Sequence, residues 1–136
     1  MKTLAILALG AVCTCAHASE VVDPKPGEVR IVAGFSTNSV ARVYRDFPIE
    51  GGMEDVDGIE FNFRCDGLAA FSNFSLYFRS GAGWYLARFE PEHDGKWMHV
   101  KVGKRDATDS EGNPSGWKDV TALRVCTRAR PEGNDG

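Results

Sequence analysis

The chain has 136 residues, with 16 Lys and Arg against 19 Asp and Glu, for a formal net charge of −3 at pH 7. A chain of this length fits one domain. The acidic balance gives no electrostatic reason to expect a nucleic acid or an anionic membrane as the partner.

The first 18 residues have the pattern of a cleavable secretory signal peptide. Lys2 supplies a positive start, and residues 4–12 form an uncharged, mostly apolar run. Ala16-His17-Ala18 then places small residues where signal peptidase needs them. The apolar run is shorter than the roughly 20 residues of a membrane-spanning helix. The sequence therefore predicts a helical signal peptide over residues 1–18, a mature chain from Ser19, a secreted or periplasmic location and no membrane association after cleavage.

Cleavage would remove two of the four cysteines. Cys65 and Cys126 would remain as a pair in an oxidising compartment, which predicts a disulfide between them. Two buried thiols on neighbouring strands are the alternative. A lipoprotein anchored through Cys13 or Cys15 is a weaker alternative to simple cleavage, because bulky residues precede both cysteines. A buried N-terminal helix is the remaining alternative for this segment.

After a polar lead-in at residues 19–27, short runs of β-branched and aromatic residues are separated by turn residues. The clearest run, residues 58–65, alternates Ile59, Phe61, Phe63 and Cys65 with polar residues, as a half-buried strand does. No apolar period of 3.6 residues persists, so no substantial helix is expected after the signal. The runs predict an antiparallel β-sandwich over residues 28–127, followed by a disordered tail at 128–136. The predicted strands are 28–35, 40–49, 58–65, 74–79, 84–89, 97–102 and 117–127.

The mature sequence lacks the usual patterns of catalytic and metal sites. It has only His93 and His99 as histidines, with no GxSxG elbow around a serine and no HExxH motif. We therefore expect a protein that is not an enzyme and that has no cofactor. A structural calcium held by the acidic segments 54–57 or 106–111 is an alternative.

Saccharide binding fits the residue types better. Pyranose rings stack their apolar faces on Trp or Tyr, and their hydroxyls bond to Arg, Asn and carboxylates. Trp84 and Tyr85 follow a glycine turn and face opposite ways, so the exposed one is the better stacking residue. Trp97 and Trp117 are expected to close the ends of the core. The candidate ligand-binding residues are Asn62, Arg64, Tyr77, Arg79, Trp84, Tyr85, Arg88 and His99.

Four motifs resemble those of galactose-binding-like jelly rolls, the carbohydrate-binding-module type of β-sandwich found beside secreted glycoside hydrolases. They are an alternating strand after Gly58, the Gly83-Trp84-Tyr85 hairpin, Trp97 with Val100 and Val102, and a Gly-Asn-Pro-Ser-Gly-Trp turn at residues 112–117. The resemblance covers residues 28–127. It implies a sandwich that binds saccharides on an outer sheet face or through its end loops, with a structural calcium in some members.

The leading hypothesis is a secreted, non-catalytic carbohydrate-binding-like module whose partner is a polysaccharide or oligosaccharide. Arg79, Arg88 and His99 are expected to join the polar face of the 58–65 strand. Two alternatives stay open: a protein-interaction or scaffolding β-sandwich, and a truncated leading domain of a larger secreted glycoside hydrolase.

Export of the full-length chain from a secreting host is expected to yield a product that begins at Ser19, read by N-terminal sequencing or intact mass. Ala18→Leu is expected to block processing, because the peptidase accepts only small residues there. Val12→Leu leaves the cleavage site untouched and is the control. Recovery of the unprocessed wild-type chain outside the cell would contradict the prediction.

Overall fold

The computed structural model describes residues 4–15, 20–25, 28–33 and 42–129. Regular structure within these ranges consists of ten strands and three single-turn 3₁₀ helices, which confirms the all-β prediction. No helix in the described ranges is long and apolar enough to cross a membrane. The strands are β1 Leu4–Cys15, β2 Glu20–Lys25, β3 Glu28–Ala33, β4 Arg42–Pro48, β5 Gly58–Asp66, β6 Phe71–Ser80, β7 Ala82–Phe89, β8 Met98–Gly103, β9 Asp109–Asn113 and β10 Val120–Ala129. The 3₁₀ helices are Leu68–Ala70, Lys104–Asp106 and Trp117–Asp119.

The strands form two five-stranded sheets. Sheet A has the order β2-β3-β1-β5-β8, and sheet B has the order β4-β10-β6-β7-β9. Every pair in sheet B is antiparallel. In sheet A, β1 runs parallel to both β3 and β5, whereas the other pairs are antiparallel. The parallel pairs are a difference from the expected antiparallel arrangement.

Phenylalanine rings from the two sheets contact each other in the core. Strand β5 alternates as predicted, with Phe61 and Phe63 almost completely buried. The Phe63 ring lies 5.3 Å from that of Phe74 on β6 and 5.2 Å from that of Phe89 on β7, both in edge-to-face geometry. Phe61 makes a third such contact with Phe89 at 5.5 Å. Each contact contributes about 0.5–1.5 kcal/mol beyond the area it buries, so these rings hold sheet A against sheet B.

The predicted hairpin joins β6 to β7 through Gly81 and Ala82. Ser80 pairs with Gly83 across a two-residue turn, and Gly81 has a φ of 55°, which glycine adopts without steric cost. The register places Arg79 directly opposite Trp84. The turn therefore brings a cation and an indole together on one face of sheet B.

Strand β9 was not expected from the sequence, which predicts a polar loop at residues 105–115. All five residues of β9 are exposed, and it pairs with β7 as an edge strand of sheet B. A strand without a buried face lacks the apolar alternation on which the prediction depended. At the other end of the predicted domain, β10 extends to Ala129, and residues 130–136 of the predicted tail lie outside the described residues.

The N-terminal segment differs from its expected helical form. Leu4–Cys15 is strand β1, which lies between β3 and β5 in sheet A. The predicted cleavage position after Ala18 lies outside the described residues. Removal of residues 1–18 stays a prediction.

The predicted Cys65–Cys126 disulfide is wrong for this structure, in which both residues are free and buried. Cys65 belongs to the core between the sheets. Cys126 alternates with the core residues Leu123 and Val125 on β10 and therefore faces the opposite side of sheet B. There its Sγ accepts a hydrogen bond from Arg42 Nε at 2.9 Å. The two sulfur atoms lie on different sides of a sheet, where no bridge can join them.

Because both thiols are free, a reducing agent is expected to leave the thermal unfolding midpoint unchanged. Titration with a thiol reagent under denaturing conditions should count both Cys65 and Cys126 in the mature chain. The Cys65→Ala/Cys126→Ala double variant gives the blank for that titration. A midpoint that falls by several degrees on reduction would show that a structural bridge had formed.

Candidate functional site

The structure divides the predicted ligand-binding residues among three surfaces. Asn62, Arg64 and His99 lie on the outer face of sheet A. Tyr85 points toward the core, where its ring stacks on Trp117 at 4.3 Å. The remaining four lie on the outer face of sheet B: Tyr77, Arg79, Trp84 and Arg88. The expectation that Arg79 and Arg88 join the polar face of the 58–65 strand is therefore wrong, since they belong to the other sheet.

On sheet A the polar side chains pair with one another. His99 Nδ1 lies 3.0 Å from Asn62 Oδ1, and His99 Nε2 lies 3.3 Å from Glu60 Oε2. Arg64 makes a two-pronged contact with Asp66, at 2.9 and 3.2 Å. Among the described side chains of this face, Glu60, Asn62, Arg64 and His99 thus direct hydrogen bonds within the protein.

Two tryptophans were expected to close the core, and only one does so. Trp117 packs against the core and contacts the Phe78 ring at 5.3 Å. Trp97 is 49% exposed and lies beside Asn62 and His99, which corrects its predicted structural role. Its position just before β8, instead of within the strand, explains the exposure.

Sheet B carries a continuous set of cations and rings on its outer face, which we call the arginine–aromatic face. The Arg124 guanidinium lies 3.9 Å from the Tyr44 ring centre and 4.7 Å from that of Trp84. Arg42 lies 5.4 Å from the rings of both Tyr44 and Tyr77. Cation–π contacts of this kind contribute about 0.5–1 kcal/mol each at exposed positions. The face consists of Arg42, Tyr44, Asp46, Tyr77, Arg79, Trp84 and Arg124.

The face contains one two-pronged ion pair. Arg124 Nε and Nη2 donate to the Asp46 carboxylate at 2.7 and 3.0 Å. This hydrogen bond lowers the pKa of Asp46 below its ordinary value and raises that of Arg124. The pKa of Arg42 is also raised, chiefly by its hydrogen bond to Cys126. The hydrogen bonds of Arg42 and Arg124 therefore favour the charged form of these two guanidinium groups.

Arg79 differs from the other two arginines. Its guanidinium lies 5.8 Å from the Trp84 ring centre, and the side chain is exposed. Across residues 42–129 it makes no hydrogen bond or ion pair with another side chain. Its donors are therefore directed to solvent while the indole orients the group.

Next to Arg79 a groove of about 630 Å³ opens at the end of sheet B. Ser80 Oγ fixes one wall, because it donates to Gly116 O at 2.6 Å and accepts from Ser115 N at 3.1 Å. Gly52 allows the opposite wall to approach closely, since a Cβ there would lie 2.2 Å from Lys118 O. The groove is lined by Ile49, Gly51, Gly52, Arg79, Gly81, Ser115, Lys118, Asp119, Val120 and Thr121. It joins the arginine–aromatic face to the end loops.

The two acidic segments proposed as calcium loops approach each other at Asp57 and Asp106, which line a common pocket. Lys104 N donates to Asp57 O at 2.8 Å, and Lys104 Nζ donates to Glu54 O at 3.1 Å. The lysine thus supplies the positive charge between these loops. Over the part of the chain that the structure describes, no three His, Cys, Asp or Glu side chains group as metal ligands. Calcium binding stays a prediction.

Four residues of the face escaped the list of candidates drawn from the sequence: Arg42, Tyr44, Asp46 and Arg124. The available signal was alternation, because Arg42, Tyr44 and Asp46 are spaced two apart and must share a side of β4. The sequence alone does not show that β4 pairs with β10, and this pairing places Arg124 opposite Asp46.

Comparison of the chain with protein-family models, with curated proteins and with solved structures finds no match.

Asp46→Asn is expected to weaken the fold in a pH-dependent way. Because the pKa of Asp46 is lowered in the folded state, its stabilisation is fully present above the ordinary value of 3.8 and is lost as the pH falls through the folded pKa. At pH 7 we expect a loss of about 0.2–1 kcal/mol in the free energy of unfolding, reduced by added salt. Urea denaturation at pH 7 and in acid measures it.

Asp109→Asn is the matched control, because Asp109 is exposed on β9 and has no ion pair in the described ranges. Its stability should follow that of the wild type at both pH values. A difference between wild type and Asp46→Asn that persisted unchanged in acid would contradict the assignment.

Proposed function

We propose that this protein is a secreted, non-catalytic carbohydrate-binding module that contacts saccharide through its arginine–aromatic face and the adjoining groove. The observation that carries the proposal is the placement of Trp84, Tyr44 and three arginines on one sheet face that leads into a groove of about 630 Å³. The predicted residues Tyr77, Arg79 and Trp84 belong to this face, and Arg88 extends it along β7.

The strand pairing of the mature chain agrees with a galactose-binding-like sandwich in being antiparallel. Both parallel pairs involve β1, the segment predicted to leave with the signal peptide. Without residues 1–18, every remaining strand pair in the described ranges is antiparallel. Because β1 lies between β3 and β5, its removal also divides sheet A into the pairs β2-β3 and β5-β8. Antiparallel pairing is the feature that the remaining strands share with a jelly roll.

The chemistry of the face suits a saccharide. Tyr44 is 46% exposed and offers a ring surface on which a sugar can stack. Arg79 supplies planar donors for hydroxyl or carboxylate oxygens. In the groove, Ser115, Asp119 and Thr121 add hydroxyl and carboxylate groups. An aromatic surface beside convergent polar groups is the usual composition of a ligand site.

A protein partner is the alternative that the exposed surface supports less well. Such a partner is favoured by a contiguous apolar patch. Among the described residues the exposed large hydrophobic side chains are Tyr44 and Trp97. They lie on different sheets, so they form no common patch.

Substitution of Trp84 tests the location of the site. We expect Trp84→Ala to weaken binding to the best ligand of a polysaccharide panel about tenfold, because the ring orients the Arg79 and Arg124 guanidinium groups. Affinity gel electrophoresis or a glycan array measures the binding. Tyr44→Ala, at a more exposed ring, provides a second variant if Trp84→Ala unfolds.

Trp97→Ala is the matched control, because it removes an exposed indole from the opposite side of the molecule. It should bind as the wild type does. Loss of binding in Trp97→Ala with retention in Trp84→Ala and Tyr44→Ala would move the site to sheet A. Absence of binding to every saccharide tested would overturn the proposed function.

A further inference from the structure

The arginine–aromatic face has an excess of positive charge in a protein that is acidic overall. Its three guanidinium groups face one carboxylate, that of Asp46, so the local formal charge is about +2. The full chain has a net charge of −3. Arg88 and Arg128 lie on the same side of the sheet, and so do Asp109 and Glu111 of β9, which pair with Leu86 and Trp84 and offset those two charges.

The positive groups are held in place by rings instead of by acids. Arg124 is the one arginine of the face with a carboxylate partner in the described ranges. Arg42 Nε donates a hydrogen bond to the sulfur atom of Cys126, and Arg79 is oriented by the Trp84 indole. Ring contacts orient a guanidinium without neutralising it. The charge of Arg42 and Arg79 thus stays available to a ligand.

The positions of the arginines also restrict the kind of sugar. Trp84 has Arg124 at 4.7 Å and Arg79 at 5.8 Å from its ring centre, so guanidinium groups lie around the indole. The surface around Trp84 therefore offers N–H donors more than bare ring. Planar guanidinium donors match the two oxygens of a carboxylate or sulfate group.

From these observations we infer that the ligand of this face is an acidic polysaccharide, whose carboxylate or sulfate groups bind Arg79 and Arg42. This inference rests on the proposed saccharide-binding function and specifies its ligand class. The arginines come from β4, β6 and β10, so they are spread across the sheet and suit a polymer with repeated anionic groups. Arg79 also lines the groove, where the charges of Lys118 and Asp119 offset each other.

The test compares four polymers of similar length on the full mature protein: polygalacturonate, dextran sulfate, neutral dextran and polyaspartate. We expect at least tenfold tighter binding of one of the two acidic polysaccharides than of neutral dextran. That affinity should fall several-fold between about 50 and about 200 mM salt, because charge pairing releases counterions. The first two polymers distinguish carboxylate from sulfate recognition.

Arg79→Gln should weaken binding of the preferred acidic polysaccharide by about fivefold or more, because it removes a charged donor pair. The side chain is exposed, so unfolding in urea should be unchanged. Arg105→Gln is the control, with the same loss of charge at an exposed position of the Lys104–Asp106 turn. It should leave the affinity unaltered.

The outcomes separate the inference from the function on which it rests. Equal, salt-insensitive binding of a neutral polysaccharide would overturn the acidic ligand and keep the saccharide function. Polyaspartate binding as tight as that of either acidic polysaccharide would overturn the saccharide function and leave a general polyanion surface. Equal losses in Arg79→Gln and Arg105→Gln would overturn the role of this face.

Discussion

The contacts among Phe61, Phe63, Phe74 and Phe89 are the constraint on which the rest of the molecule depends. These rings join β5 of sheet A to β6 and β7 of sheet B in edge-to-face pairs. Once they are buried, the two-residue period of a strand directs every intervening side chain of β6 and β7 outward. Tyr77, Arg79 and Trp84 therefore reach the outer surface because their neighbours are required inside. The arginine–aromatic face is the reverse side of the aromatic core.

On the arginine–aromatic face, repulsion among the arginines is opposed by one carboxylate and by aromatic rings. Like charges gathered on one surface repel each other, and the single carboxylate of Asp46 offsets one of three guanidinium groups. Tyr44, Tyr77 and Trp84 also oppose the repulsion among the guanidinium groups, because their π-faces attract cations without removing the positive charge. A surface built in this way keeps an electrostatic field that a set of ion pairs would cancel. That retained field connects the packing of the side chains to the ligand class that we propose.

Local patterns in the sequence predicted the strands that have a buried face. They failed for strand order and for the face on which a side chain lies, because both depend on which strands pair. The alternation of Phe61 and Phe63 identified β5, and the Gly81 turn identified the hairpin, because both signals lie within a few residues. Strand order is decided by contacts between distant segments, so Arg79 was assigned to the wrong sheet. The same cause explains the disulfide: Cys65 and Cys126 both look buried, but the side of the sheet that each one faces follows from packing. Of the arginine–aromatic face, the sequence named Tyr77, Arg79 and Trp84 as candidates, whereas Arg42 and Arg124 required the register of β10.

The position of Cys126 gives the molecule an internal reporter. Its sulfur lies on the outer side of sheet B, 1% exposed, and accepts the Arg42 hydrogen bond at 2.9 Å. A reagent can reach that thiol only when the covering side chains move away, whereas Cys65 stays closed until the core itself opens. The labelling rate of Cys126 thus measures how often Arg42 and the side chains around it move away from the thiol in the native state. A ligand that holds these side chains in place would slow the labelling of Cys126 without contacting its sulfur atom.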